Sequence, residues 1–290
     1  MSQFLQFVFS GLTIGAIYAL VALGFTLIYN ASDVINFAQG EFVMLGGMAT
    51  VFAAAAGVPL PLAALLAIAV AVVTGLLMHR LAIAPARGAS AVTLIIITIG
   101  ASILLRGLAA IVFDKRFHSL PGLFGADPVI IAGAAVLPQS VVVLAGAGGI
   151  VAALWLYLTR TLSGKAVLAT AANRLAARLV GIDTERVIGV SFAVSAAIGA
   201  IGGILVAPIT LTSYDIGTLL ALKGFAAAML GGIGHPLGAV AGGLVVGLLE
   251  ALGAGYVSSQ YKDGIAFFVI LVVLLAMPQG LFGRGAVDRV

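Results

Sequence analysis

Apolar residues run along this chain in long blocks, separated by short polar or Gly/Pro-rich stretches. A hydrocarbon core of roughly 30 Å takes about 20 apolar residues at a rise of about 1.5 Å each, so blocks of that length read as membrane-crossing helices. The candidates are Phe4–Tyr29, Glu41–Ala56, Leu60–His79, Ala91–Phe113, Gln139–Leu158, Val187–Pro208, about Ile216–Leu230, Leu237–Gly253 and Ile265–Met277. The second, seventh and ninth blocks are short. They read as half-helices or re-entrant segments, which survive where protein or a cavity covers the broken backbone. The period-2 alternation of barrel strands does not recur. The pattern predicts an all-α, polytopic integral membrane helix bundle of about 8–9 transmembrane segments, some short or broken. It predicts a single transmembrane domain over residues 1–290.

Composition narrows the class. Hydrophobic residues are 62% of the 290, Gly adds 38 more, and charged residues are 8%. Such a chain cannot clothe a soluble globule in polar side chains, which excludes a cytosolic enzyme and a disordered chain. It has no cysteine, so disulfide frameworks and thiol or Cys-zinc chemistry are excluded too. The net charge is +4, with no basic patch interleaved with aromatics, so no nucleic-acid partner is expected. The first block lacks a basic n-region and is too long for a signal-peptide core, so it is expected to be retained.

Loop charge sets the orientation. Thr159–Arg186 carries Arg160, Lys165, Arg174, Arg178 and Arg186, which is 5 of the 14 Lys and Arg residues, and is placed in the cytoplasm. Arg80 and Arg87, and Arg284 and Arg289, belong to the same side. The balanced loop Asp114–Asp127 belongs outside. Nine crossings put the N-terminus outside; a re-entrant block would move it inside. Small residues mark helix contacts: Gly11 and Gly15, then Gly199, Gly202 and Gly203, then Gly238, Gly242 and Gly243. A weak internal echo, Phe37-Ala38 before Met44-Leu-Gly-Gly and Phe225-Ala226 before Met229-Leu-Gly-Gly, fits a transport fold built from two related halves.

The polar stretch between the fifth and sixth blocks is the strongest candidate for chemistry. Leu168, Ala172, Leu175 and Leu179 recur at helical spacing, Arg174 and Arg178 share a face, and Gly181 is placed to end the helix. It reads as one short amphipathic helix. It either lies on lipid or docks into a partner's groove. Its Ala and Gly anchor poorly in lipid and favour docking.

Polar groups at membrane depth are costly and point to function. Asn36, Gln39 and Glu41 lie between the first two blocks, behind Ser32 and Asp33, which could cap the next turn. Glu41 either caps its helix or lines a route. Arg106 and Glu250 sit within apolar blocks and are candidates to pair with each other. Lys223 and His235 flank the Gly231-Gly232-Ile-Gly234 break, whose freed backbone could line a substrate route. His79 reads as an interfacial residue and His118 as a loop residue. The sequence contains no GxxxxGK[ST] loop, no HExxH and no plausible Ser/His/Asp set. An enzyme is not expected, nor a metal or cofactor.

Thr161-x-x-Gly164-Lys165-Ala, then Asn173, then Leu179-x-Gly181-Ile resembles the coupling-helix loop of ABC importer permeases. Ile35-Asn-Phe-Ala-Gln-Gly-Glu41, Lys223-Gly-Phe-Ala-Ala, and Leu230-Gly-Gly-Ile-Gly-His235-Pro-Leu-Gly, ending at Glu250, resemble the branched-chain amino acid permease family. The likeness spans nearly the whole chain and is greatest to the shorter of the two permeases of the leucine/isoleucine/valine type system. Three local departures stand out. Lys165-Ala-Val-Leu-Ala169 lacks a usual arginine, Gln39 replaces a usual His, and His235 replaces a usual Ser.

The resemblance implies a multi-pass protein of the bacterial inner membrane that works with a homologous second permease, two ABC ATPase subunits and a periplasmic solute-binding protein. It implies ATPase coupling through Thr161, Gly164, Lys165, Ala169, Asn173, Arg174, Arg178, Leu179 and Gly181. The expected translocation pathway passes Asn36, Gln39, Glu41, Lys223, Gly232, His235 and Glu250. Alternative cargoes on the same architecture are urea, amides or aromatic acids. An ion-gradient-driven secondary transporter is a reading from another class, with Glu250 as its best candidate carboxylate.

Overall fold

The computed structural model describes residues 2–86, 88–122, 124–125, 127–131 and 133–283. Arg87, Arg284 and Arg289 of the charge argument lie outside them. The helices are α1 (Ser2–Ser32), α2 (Gln39–Ala55), α3 (Leu60–Met78), α4 (Ala91–Val112), α5 (Pro138–Arg160), α6 (Leu162–Ala172), α7 (Arg174–Leu179), α8 (Thr184–Val206), α9 (Ile216–Gly231), α10 (Pro236–Tyr256) and α11 (Lys262–Ala276). A π-helical turn, His79–Ile83, continues α3. Among the described residues, α1, α3 with its π turn, α4, α5, α8 and α10 are long and apolar enough to cross a membrane. The three blocks that read as short, α2, α9 and α11, have 17, 16 and 15 residues. A small antiparallel hairpin, Val129–Ile131 with Ala134–Val136, is the one sheet among the described residues; its three-residue strands are too short for pattern reading to find.

Glycines decide which helices meet. On α1, Gly11 and Gly15 lie against α10, where a Cβ on Gly243 or Gly247 would strike the α1 backbone at Ala19 and Gly15. On α8, a Cβ on Gly203 would strike the Val43 carbonyl of α2, and Gly75 of α3 packs on Ala196 and Phe192. Without a hydrophobic drive between helices in lipid, this close backbone approach supplies the packing. α1 and α8 form the buried centre.

The packing falls into two matching sets. α1 packs on α10 and α9, while α8 packs on α3 and α2; α2–α3 and α9–α10 form corresponding pairs, and α1–α8 and α2–α9 join the sets. One end of the bundle collects the end of α1, the π turn, α6–α7, the start of α8 and the α9–α10 turn, through Asn30 to the Gly234 carbonyl and His79 near Glu185. The N-terminus of α1 lies at the opposite end. The Phe-Ala…Leu-Gly-Gly echo does not fall at corresponding positions in the two sets. Phe37 precedes α2 whereas Phe225 sits mid-α9, and the two rings touch at 5.3 Å.

Local chemistry corrects three further expectations. The loop helix is broken in two at Asn173, whose Oδ1 accepts from Ala176 N at 2.9 Å and caps α7. Its leucine stripe faces outward, and Gly164, Val167, Thr170 and Ala177 are the buried residues instead. Asp33 caps nothing. It ends α1 in the left-handed region at φ 57°, while Ser32 Oγ donates to Ile28 O and accepts from Val34 N.

Candidate functional site

The elbow after α5 is built from short-range bonds. Thr161 Oγ1 donates to Tyr157 O and accepts from Gly164 N at 2.9 Å, starting α6. Gly164 must be glycine because a Cβ there would strike the Tyr157 carbonyl. At the far end Gly181, at φ 88°, closes α7: its N–H bonds Arg178 O and Ile182 N–H bonds Ala177 O, a Schellman pair. Lys165 is exposed, and Ala169 half-buried. Leu175 and Leu179 stand 69% and 81% exposed, and Leu162 and Val180 are exposed as well.

This element is tied to the centre of the bundle. Arg174 and Arg178 both approach Glu185 of α8, at 3.7 and 3.9 Å, and Arg178 Nε donates to Thr184 Oγ1 at 2.8 Å. Asp183 caps α8 through Glu185 N and Arg186 N. A cavity of about 740 Å³ opens beside these arginines, between the end of α1, the π turn and the start of α8.

A second cluster lies at mid-depth. Residues 33–38 turn back into the bundle, and α2 begins at Gln39 against Gly24. Gly24 is eight residues before the end of α1, about 12 Å inside at a rise of about 1.5 Å. From the other end, residues 207–215 descend so that α9 begins with Gly217 packed on Gly40. Two helix N-termini therefore meet in the middle of the bundle. Their positive dipole ends favour the acids found there, Glu41 in the first turn of α2 and Asp215 just before α9.

Gln39 and Glu41 of this junction are held from other helices, and Asn36 from its own turn. Gln39 exchanges bonds with Ser195 of α8: Ser195 Oγ donates to Oε1 at 2.7 Å and Nε2 donates to the Ser195 carbonyl at 3.2 Å. Asn36 Oδ1 accepts from Ala38 N. Glu41, 1% exposed, accepts from Ser102 Oγ at 2.7 Å and has Arg106 Nε at 3.8 Å. Arg106 therefore faces Glu41, not Glu250. Asn36 Nδ2 and Glu41 Oε2 are buried without a hydrogen-bond partner.

Glu250 belongs to a third cluster. Lys223 Nζ donates to Glu250 Oε2 at 2.8 Å and to Tyr18 OH at 3.0 Å, and lies 2.6 Å from Asp263 Oδ1. Tyr18 OH donates to the same Oε2 at 2.7 Å, and Lys262 Nζ stands 3.6 Å from Oε1. Four helices, α1, α9, α10 and α11, share this network.

The Gly231–Gly234 break is sealed. Leu281 N and Phe282 N donate to the Leu230 and Gly231 carbonyls, and Asn30 Nδ2 to that of Gly234. Gly232 and Gly234 take φ of 96° and 90°, open to glycine. His235 Nδ1 accepts from Gly238 N at 3.1 Å and caps α10, doing by imidazole what a serine hydroxyl does.

Sequence reading passed over Thr98, Ser102, Ser195, Tyr18, Glu185 and Asp263. A signal existed for two of them: Thr98, Ser102 and Arg106 recur every four residues on the otherwise apolar α4. Ser195 and Tyr18 gave none, because their partners are distant in sequence.

Residues 7–274 match the family model described as the branched-chain amino acid transport system / permease component. The chain is 35% identical to the high-affinity branched-chain amino acid transport system permease protein LivH of Escherichia coli K12, over 99% of this chain and 98% of that one. It is 33% identical over the same shares to the corresponding permease protein BraD of Pseudomonas aeruginosa. A probable branched-chain amino acid transport permease protein LivH of Methanocaldococcus jannaschii is 30% identical over 91% of this chain and 88% of that one. Among solved structures, PsaBC from Streptococcus pneumoniae in complex with Fab aligns with a TM-score of 0.49 and 12% identity, covering 97% of this chain and 92% of that one.

Proposed function

Because this chain belongs to the family of branched-chain amino acid transport system permease components, we propose that it is one permease subunit of an ATP-driven importer that carries branched-chain or related amino acids across the inner membrane. The observation that carries the reading is the α6–α7 element. It displays leucines outward, yet is bonded inward to α8 through Arg174 and Arg178, which reach Glu185 and Thr184. An amphipathic handle with exposed leucines fits a groove on a separate protein, here an ATPase. Closure of an ATPase pair would push α7; the arginine–Glu185 contacts would pass that push to α8. Through Ser195–Gln39 and the glycine contacts with α2, α8 reaches the mid-depth junction.

In this proposal the route runs past Asn36, Gln39 and Glu41, between this chain and a homologous permease. Lys223 and Glu250 brace α9 against α1 and α10 while it moves. Gly232 and His235 shape the turn at the ATPase end. A solute-binding protein would deliver cargo at the opposite end. Thr161, Gly164, Asn173 and Gly181 give the handle its shape, and Lys165, Ala169, Arg174, Arg178 and Leu179 meet the ATPase or the link to α8.

The test is ATP-dependent uptake of L-leucine by proteoliposomes holding the reconstituted complex. The double variant Leu175→Glu/Leu179→Glu is expected to lower ATPase co-purification and uptake at least tenfold, about 1.4 kcal/mol or more of lost docking, with unchanged membrane insertion. Full co-purification and uptake by that variant would overturn the docking role, and ATP-independent uptake that an ionophore abolishes would overturn the importer.

A further inference from the structure

We propose that Glu41 and Arg106 form a zwitterion-operated latch: they hold α4 closed over the mid-depth junction until a free amino acid replaces the pair, its ammonium group on Glu41 and its carboxylate on Arg106. The inference rests on the importer reading above and specifies which residues admit the solute.

α4 is fastened by one polar stripe. Thr98 Oγ1 accepts from Phe37 N at 3.2 Å, its own proton shared between Ile95 O of α4 at 2.8 Å and Ile35 O at 3.3 Å; one turn on, Ser102 donates to Glu41; one turn further, Arg106 faces Glu41. Its main packing partners are α2 and the π turn. Much of its remaining surface is exposed, including Ile96, Ile99, Ile103 and Leu104. A helix with so few buried apolar contacts is held by its polar pins and can part from its neighbour when they are replaced.

The pins are incomplete. Arg106 Nε stands 3.8 Å from Glu41 Oε1, an ion pair without a hydrogen bond, while Glu41 Oε2 and Asn36 Nδ2 are buried without any. Buried polar atoms left unbonded are ready to accept a better partner. An amino acid offers an ammonium donor to the free carboxylate oxygen and two acceptor oxygens to the guanidinium, which binds carboxylates in fork geometry. Asp215 is exposed two residues before Gly217, at the level of the junction. A carboxylate at that depth does not face lipid, so water or a partner chain borders this face. The latch therefore borders water or a partner chain rather than lipid, near the middle of α4.

The absence of cysteine in the chain makes the opening readable. Ala109, buried on the latch side of α4 but outside the pins, is replaced by Cys in the complete nanodisc-embedded complex. A membrane-impermeant maleimide then reports its exposure. Saturating L-leucine is expected to raise the labelling rate about fivefold, whereas leucinamide, lacking the carboxylate, and 4-methylpentanoate, lacking the ammonium, leave it unchanged. Arg106→Gln is expected to label fast without leucine and to lose the response, and Arg106→Lys to keep it in part. Ser102→Ala, which leaves both charges in place, is expected to raise leucine-free labelling severalfold. The proposal is overturned if wild-type complex takes up leucine but labelling ignores it, if the one-charge analogues act like leucine, or if Arg106→Gln transports and labels as wild type does. Failure of the wild-type complex to import leucine at all is a different result and overturns the functional reading instead.

Discussion

Removing Lys223 is expected to cost far more than removing the charge of its partner Glu250. At 2.8 Å, with an effective dielectric constant of about 20, the gross attraction of the pair is about 6 kcal/mol. Breaking one side of a buried pair typically costs about 3–5 kcal/mol, because the other charge stays behind uncompensated. Lys223→Met does this to Glu250, leaving it the Tyr18 hydroxyl and a half-exposed Lys262 at 3.6 Å. Glu250→Gln does not strand Lys223, whose Nζ keeps Asp263 at 2.6 Å and Tyr18 OH at 3.0 Å. That variant loses about 1–2 kcal/mol, the scale of one hydrogen bond to a charge. Lys223→Met/Glu250→Gln removes both charges and is expected to fall short of the summed single losses by about 2 kcal/mol. The assay is helix loss by circular dichroism in mixed micelles, as a function of denaturing detergent fraction. Equal losses in the two single variants, or additive losses in the double, would refute the argument that Lys223 is the hub of the network.

Three further outcomes follow from the geometry. Gly247→Val places a side chain on the α1 backbone at Gly15 and is expected to cost about 1–3 kcal/mol or more as overpacking; thermal unfolding in detergent checks it against Gly149→Val, which meets nothing within 4 Å. His235→Ser keeps a capping acceptor for Gly238 N and is expected to be near neutral, whereas His235→Ala loses about 1 kcal/mol in the same measurement. At the end of the bundle away from the handle, the His118 side-chain hydrogen bond, aided by the Arg116 N–H, holds the Asp114 carboxyl below the usual carboxylate range. A depressed folded-state value stabilises the loop fully above the unfolded value of about 3.9, and the contribution disappears as pH falls through the folded one. Asp114→Asn is therefore expected to flatten the acid limb of a melting-temperature profile between about pH 5 and 2; an unchanged limb would exclude this bond as its cause.

The sequence alone determined what depends on neighbours along the chain. Apolar block lengths set the helices, down to the shortness of α2, α9 and α11, because the hydrocarbon thickness and helical rise fix how many apolar residues a crossing needs. Gly181 was legible for the same reason, since it ends its helix through backbone groups within a few residues, whereas the cap by which Asn173 splits the loop helix in two was not read. Tertiary structure decided everything that joins distant segments. Arg106 faces Glu41 rather than Glu250, and Lys223 takes Glu250, because the glycines of α1, α8 and α10 determine which backbones approach closely enough for buried charges to meet. The glycine break before α10 looked like freed backbone until the segment around Leu281 came back to bond it. The meeting of two helix starts at Gly40 and Gly217 has no sequence signature, since residues so far apart along the chain share no local periodicity. Charge and hydropathy name the groups that need partners; only the fold brings the partners to them.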